Sequence, residues 1–176
     1  MKTLLTVLAM SLAALSSGCA QMKPSVAEDQ SGNAALFESL KKLEGRWDGP
    51  DADKDGKPDA TTVFKLTAGG SAVEETLFPG APHEMVDLYV MDQGKLVLTH
   101  YCLLGNQPRM AAGKESTPQK LVFHLVDGMN LDPARDRHMG ALTLTIVDPD
   151  HIKQEWVSFA EGKPGETRVH EYTRKN

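Results

Sequence analysis

The chain is poor in cysteine, in aromatic side chains and in positive charge. Its 176 residues hold two cysteines, Cys19 and Cys102, and aromatic residues make up 6% of it. Two cysteines close at most one intrachain bridge, so a disulfide scaffold is excluded and the fold must rest on a hydrophobic core. No C-x-x-C or H-x-x-x-H pair commits any residue to a metal by spacing alone. Nineteen Lys and Arg stand against 24 Asp and Glu, for a formal net charge of −5. An acidic surface without a basic stripe repels phosphate backbones, which removes nucleic acid as a partner. Beyond the N-terminus no apolar run approaches the roughly 18 to 20 residues of a membrane-spanning helix.

The N-terminus has its own organisation. Lys2 gives a short positive segment, Leu4 to Leu15 is apolar but too short to span a bilayer, and Ser16, Ser17 and Gly18 are small. This is the layout of a secretory signal over residues 1–18. The stretch SSGCAQ resembles a bacterial lipobox, which implies lipidation of Cys19; Leu15 stands four residues before that cysteine, one more than is usual for the motif. Ordinary cleavage after Ala20 is the competing reading. The expectation is a lipoprotein of the bacterial cell envelope, facing the periplasm, or a secreted protein, touching membrane through its anchor only. With Cys19 lipidated, Cys102 is the one thiol left.

Residues 19–32 are polar and aperiodic and read as a tether. Asn33 to Lys42 carries Ala35, Leu36, Ser39 and Leu40 at helical spacing, which predicts one short amphipathic helix. After Gly45, runs of Val, Leu, Thr, Phe and Tyr alternate with turn clusters every eight to twelve residues. The spacing predicts strands over 45–49, 60–67, 71–78, 84–91, 95–102, 107–112, 119–126, 139–147, 150–158 and 167–174. The domain over 33–176 is therefore an all-β, antiparallel up-and-down barrel of about ten strands with a short N-terminal helix. In such a barrel each loop belongs to one of two ends. The base receives tight turns such as Asp92-Gln93-Gly94 and Asp148-Pro149-Asp150. The mouth receives the acidic loop 50–59, the Pro79–Pro82 turn leading into His83 and Glu84, the Leu103–Asn106 turn, and the segment 127–138.

Gly45-Arg46-Trp47, opening the first strand after a helix, resembles the G-x-W element of the calycin superfamily, which includes lipocalin-like and nitrobindin-like barrels. The resemblance implies that Trp47 packs beneath an Arg from the last strand, a position held here by Arg174. Ten strands lie nearer the fatty-acid-binding and nitrobindin-like members than the eight-stranded lipocalins. The stretch from Gly70 to Met110 is also similar to uncharacterised bacterial exported proteins of lipocalin-like type, a likeness that carries no function.

The mouth gathers the chemically distinctive residues. His83, Glu84, His100, Tyr101, Cys102, Asn106, Gln107, Arg109, Asn130, Asp132 and His138 are the candidates for orienting a small apolar or amphipathic molecule in a barrel cavity. Each also has a plain role open to it, since short polar side chains satisfy loop backbone groups and an isolated histidine is more often structural than a ligand. His83, His100 and His138 would suffice for a divalent metal in a hydrolase or isomerase, and one of them for haem, as the nitrobindin-like resemblance implies. His100 and Cys102 share a strand face, about 6.6 Å apart at the backbone, so Cys102 is a candidate nucleophile with His100 or His138 as base; a lone cysteine among leucines is more often a small apolar residue. Finally, Asp51-Ala52-Asp53-Lys54-Asp55-Gly56 resembles the start of a calcium loop, but its twelfth position is Thr62 in place of a bidentate Glu.

Overall fold

A computed structural model of the chain describes residues 26–175, with side chains from Gly32 onward. The signal segment and Cys19 lie outside the described residues. The first element is α1, Val26–Lys41. Ten strands follow: β1 Gly45–Asp48, β2 Thr61–Thr67, β3 Ala72–Leu77, β4 Met85–Asp92, β5 Lys95–Tyr101, β6 Gln107–Ala112, β7 Lys120–Met129, β8 His138–Asp148, β9 His151–Ala160 and β10 Lys163–Lys175. Each pairs antiparallel with its sequence neighbours, and β10 returns to β1, closing the barrel. Closure gives every strand a partner on both sides over at least part of its length. The architecture is consistent with a calycin-like barrel.

Three boundaries differ from the sequence reading by three residues or more. α1 begins at Val26 rather than at Asn33, so the second half of the expected tether is helical. Ala27, Glu28 and Gln30 are good helix formers, and a turn that extends past the packed face needs only its own backbone hydrogen bonds. β7 runs on to Met129 and β10 begins at Lys163, so the mouth carries longer strands and a shorter 130–137 loop. The pairing of β7 with β8 stops at His124↔Ala141, and the upper part of β7 follows β6 alone.

At the base, Leu36, Phe37 and Leu40 of α1 join Leu43, Trp47, Phe64, Leu96, Leu98, Leu121, Phe123, Leu142, Leu144 and Ile152 in one core. Asn33 Oδ1 accepts the Leu96 backbone N–H at 2.9 Å, fixing the helix to the start of β5. Trp47 is wholly buried, and its indole N–H donates to the Leu43 carbonyl at 2.8 Å. The Arg174 guanidinium lies 4.1 Å from the centre of the indole ring. It also donates to the carbonyls of Lys42, Glu44 and Pro149 at 3.0, 2.9 and 3.0 Å. One side chain thus ties the helix exit, the first strand and the β8–β9 turn together. Gly45 sits at φ 127, a backbone conformation that L side chains rarely adopt, which accounts for the glycine of the G-R-W triplet.

Candidate functional site

Strand parity sends alternate residues inward, and toward the mouth several of those inward residues are polar. Glu75 and Asp87 are wholly buried, His100 and His138 are 1% exposed, and Gln154 is wholly buried. Glu75 lies between Val73 and Leu77 on β3. Its carboxylate accepts from the Thr62 hydroxyl at 2.6 Å, the Tyr89 hydroxyl at 2.7 Å and the Gln154 amide at 2.5 Å. Gln154 in turn accepts from the Trp156 indole N–H at 3.2 Å. Burial, helped by the nearby Asp87 charge, pushes the Glu75 carboxyl up to about 7 against the pull of those three donors.

Asp87 and His100 stand opposite each other on β4 and β5. His100 Nδ1 donates to Asp87 Oδ1 at 2.6 Å. Burial disfavours a charged imidazole, but the Asp87 charge and hydrogen bond outweigh it and raise His100 to about 10, while burial also raises Asp87 against the pull of His100. Its face lies against Trp156, with ring centres 5.0 Å apart. The Cys102 thiol is beside the same ring, close enough for a polar interaction although His100 Nε2 has no aligned hydrogen-bond partner. Burial lifts the thiol pKa, while the His100 ring and the Leu104 amide more than offset it, leaving the thiol below its ordinary value.

Above this polar layer is a cavity of about 440 Å³ that opens at the mouth. Leu77, Phe78, Met85, Met139 and Trp156 give it apolar walls; His83, His100, Cys102, His138 and His170 supply nitrogen and sulfur. Arg137, Arg168 and Glu166 stand at its edge. Phe78 holds a left-handed backbone, φ 54, which is costly for an aromatic residue, by about 1 to 3 kcal/mol. That conformation places its ring 4.6 Å from His83 and 5.8 Å from His170. His138 opens β8, where its Nδ1 donates to the Asp136 carbonyl at 2.8 Å and its ring stacks on Phe159. With Nδ1 so occupied, Nε2 of His138 is the free atom, and it is buried without a partner.

Four of the residues singled out from sequence, His83, His100, Cys102 and His138, therefore line one cavity. The other seven lie off it. Tyr101 is one residue out of phase with His100 and Cys102 and is 44% exposed on the outer face. Glu84 accepts from the Gly80 N–H, and Asn106 donates to the Arg137 carbonyl at 2.9 Å. Gln107 donates to the Gly105 carbonyl and accepts from Asn130. Arg109 points outward to Asp92 at 3.1 Å, and Asp132 caps the Ala134 N–H and pairs with Arg135. These side chains organise loops and strand surfaces.

Among the described residues, Asp51, Asp53 and Asp55 form the one group of three whose ligand atoms all lie within 4.8 Å of one another. His83, His100 and His138 do not make such a group. The acidic loop's carboxylates accept from its own backbone, at Asp55, Gly56 and Lys57 among others. For haem, an imidazole with an unengaged outer nitrogen is needed, and Nε2 of His138 is such an atom.

Sequence reading missed Glu75, Asp87, Gln154, Phe78 and His170. Parity carried one step further would have turned Glu75 inward with Val73 and Leu77. No family model matches this chain, and no curated protein matches it.

Proposed function

We propose that this protein is an exported, lipid-anchored barrel of calycin type that binds one small amphipathic molecule in the mouth cavity. The observation that carries the reading is a chamber of about 440 Å³ whose walls are apolar and whose floor presents two buried imidazole nitrogens, on His100 and His138, without partners. That volume is within the range of small-molecule sites, and a few placed polar atoms in an apolar chamber are how such sites orient a ligand. A buried polar atom left unsatisfied costs about 1 to 3 kcal/mol; a ligand with one polar end and an apolar body would recover that and cover the walls.

The expected ligand has an oxygen-bearing head facing His100 and His138 and an apolar body against Phe78, Met85 and Trp156. The test is native mass spectrometry of protein purified from envelope membranes, followed by solvent extraction. The expected result is one bound molecule of constant mass, lost from a Met139→Trp variant whose larger side chain fills the chamber. Equal occupancy in both proteins, or none in either, would remove the proposal, and a porphyrin absorption band would replace it with haem binding through His138.

A further inference from the structure

We propose that Cys102, His100 and Asp87 form a nucleophilic relay on the cavity wall, and that its substrates are esters of small amphipathic acids. The inference rests on the mouth cavity being a ligand chamber, and adds a reaction to it.

Three observations join here. His100 is the last buried residue of β5 and Cys102 follows directly after the strand's end, and both line the cavity. Asp87 grips the far nitrogen of His100 at 2.6 Å, which fixes the ring and leaves Nε2 on the cavity side. Third, and independent of the cysteine, His138 Nε2 faces the same space, buried and unpartnered, a second polar atom set where a ligand's polar group would lie. A cysteine serving only as core filler would be buried among apolar neighbours, whereas Cys102 is half-buried and borders open volume. Burial and the Asp87 charge raise the thiol, and the His100 ring and the Leu104 amide lower it; His83, His138, His170, Arg137, Arg168 and Glu166 are the other titratable and charged groups that line the cavity. The net effect is a thiol below its ordinary value, which raises the share of the nucleophilic thiolate at a given pH.

The steps balance with water as the one co-reactant. The Cys102 thiolate adds to the ester carbonyl carbon, forming the C–S bond. The bond from that carbon to the alkoxy oxygen then breaks, and His100 passes its Nε2 proton to the departing oxygen. The acyl group remains on sulfur as a thioester. Water gives a proton to neutral His100 and attacks the thioester, so that free acid leaves and thiolate and imidazolium are restored. Asp87 touches no substrate; it is a positioning residue that holds the ring and favours its charged form.

The experiment uses p-nitrophenyl butanoate and the full mature chain. After acid quench, intact mass should rise by one butanoyl group, located on the Cys102 peptide and absent from Cys102→Ala. Asp87→Asn should slow acylation at neutral pH about a hundredfold and move its pH profile. A variant that fails to fold leaves the wild-type test in place: the iodoacetamide rate at Cys102 should reach half its maximum below the free-thiol value of about 8.5. Acylation elsewhere on the protein, or an alkylation midpoint at or above that of a free thiol, overturns the relay. A non-covalent ligand seen by native mass spectrometry beside an unacylated Cys102 overturns the relay and leaves the binding reading intact.

Discussion

Glu75 shows how a single residue can set the pH response of the whole barrel. Its carboxyl starts from 4.5 when free and is pushed to about 7 in the fold, first by burial and then by Asp87. Between those values the native state holds a proton that the unfolded chain has released, so stability falls as pH rises from 4.5 to 7 and is level above. His100, raised from 6.5 to about 10, extends the fall upward through that interval. Exposed Glu115 and Asp148, lowered by the His124 contact and the Asp150 backbone, act in the opposite sense at acid pH. The contribution of Glu75 is therefore best isolated by difference. Glu75→Gln keeps the oxygen that accepts from Thr62 and Gln154, and its amide can donate to Tyr89. In urea unfolding at pH 4.5 and 7.5, wild type should lose on the order of 3 kcal/mol more than Glu75→Gln across the interval. Parallel losses would show that Glu75 ionises freely in the fold. In the sequence, Glu74-Glu75 reads as a solvated pair, and on β4 the apolar residues Val86, Leu88 and Val90 look like the inner face. The structure reverses that strand: Asp87 and Tyr89 point in, because they complete the hydrogen bonding of His100 and Glu75. Polar groups that satisfy one another inside a barrel leave the same trace in a sequence as polar groups facing water.

Single elements were more readable than single residues. All ten strands were legible because each carries a run of β-formers between turn residues, and up-down connectivity then sorted the loops to two ends. Trp47 and Arg174 came from a three-residue motif and its partner at the last strand, and their Cα atoms are paired in register across β1 and β10. The start of α1 was not read, because the apolar spacing that marks a helix begins only at Ala35. The seam between β1 and β10 offers a direct test. Trp47→Ala should cost about 3 to 5 kcal/mol through the cavity it leaves in the base. Arg174→Ala removes the contact with the ring and three carbonyl hydrogen bonds at a partly exposed site, for about 1 to 3 kcal/mol. Because the two side chains touch, the double variant should lose less than the sum, by about 0.5 to 2 kcal/mol in chemical denaturation. Simple additivity would mean that the two act on separate parts of the fold, and that Arg174 serves only the loop carbonyls.

Taken as a whole, the molecule has two unlike ends, and the chain enters it from the closed one. α1 packs on β4 and β5 beside Leu96, and Arg174 secures the helix exit beneath the barrel. The cavity opens at the other end, bordered by the exposed side chains of Leu103 and Leu104. Six residues lie between Cys19 and Val26, which even fully extended span roughly 20 Å. Strands of ten or more residues at about 3.3 Å each, tilted in a barrel, separate base from mouth by a comparable distance. A lipid on Cys19 would therefore hold the base toward the bilayer and turn the mouth to the aqueous side, where a soluble ligand can enter without crossing the headgroup layer. The prediction is read with a fluorophore on a single introduced cysteine, Glu115→Cys at the base or Leu103→Cys at the mouth, in a Cys102→Ser background. With the lipidated protein in vesicles, headgroup-quencher lipids should dim the base label several-fold and leave the mouth label near its brightness in solution. Stronger quenching at Leu103 would mean that the exposed leucines dock the mouth on the membrane, and that any ligand arrives from lipid. Loss of all quenching on Cys19→Ala is the matching control, since it removes the attachment that fixes the orientation.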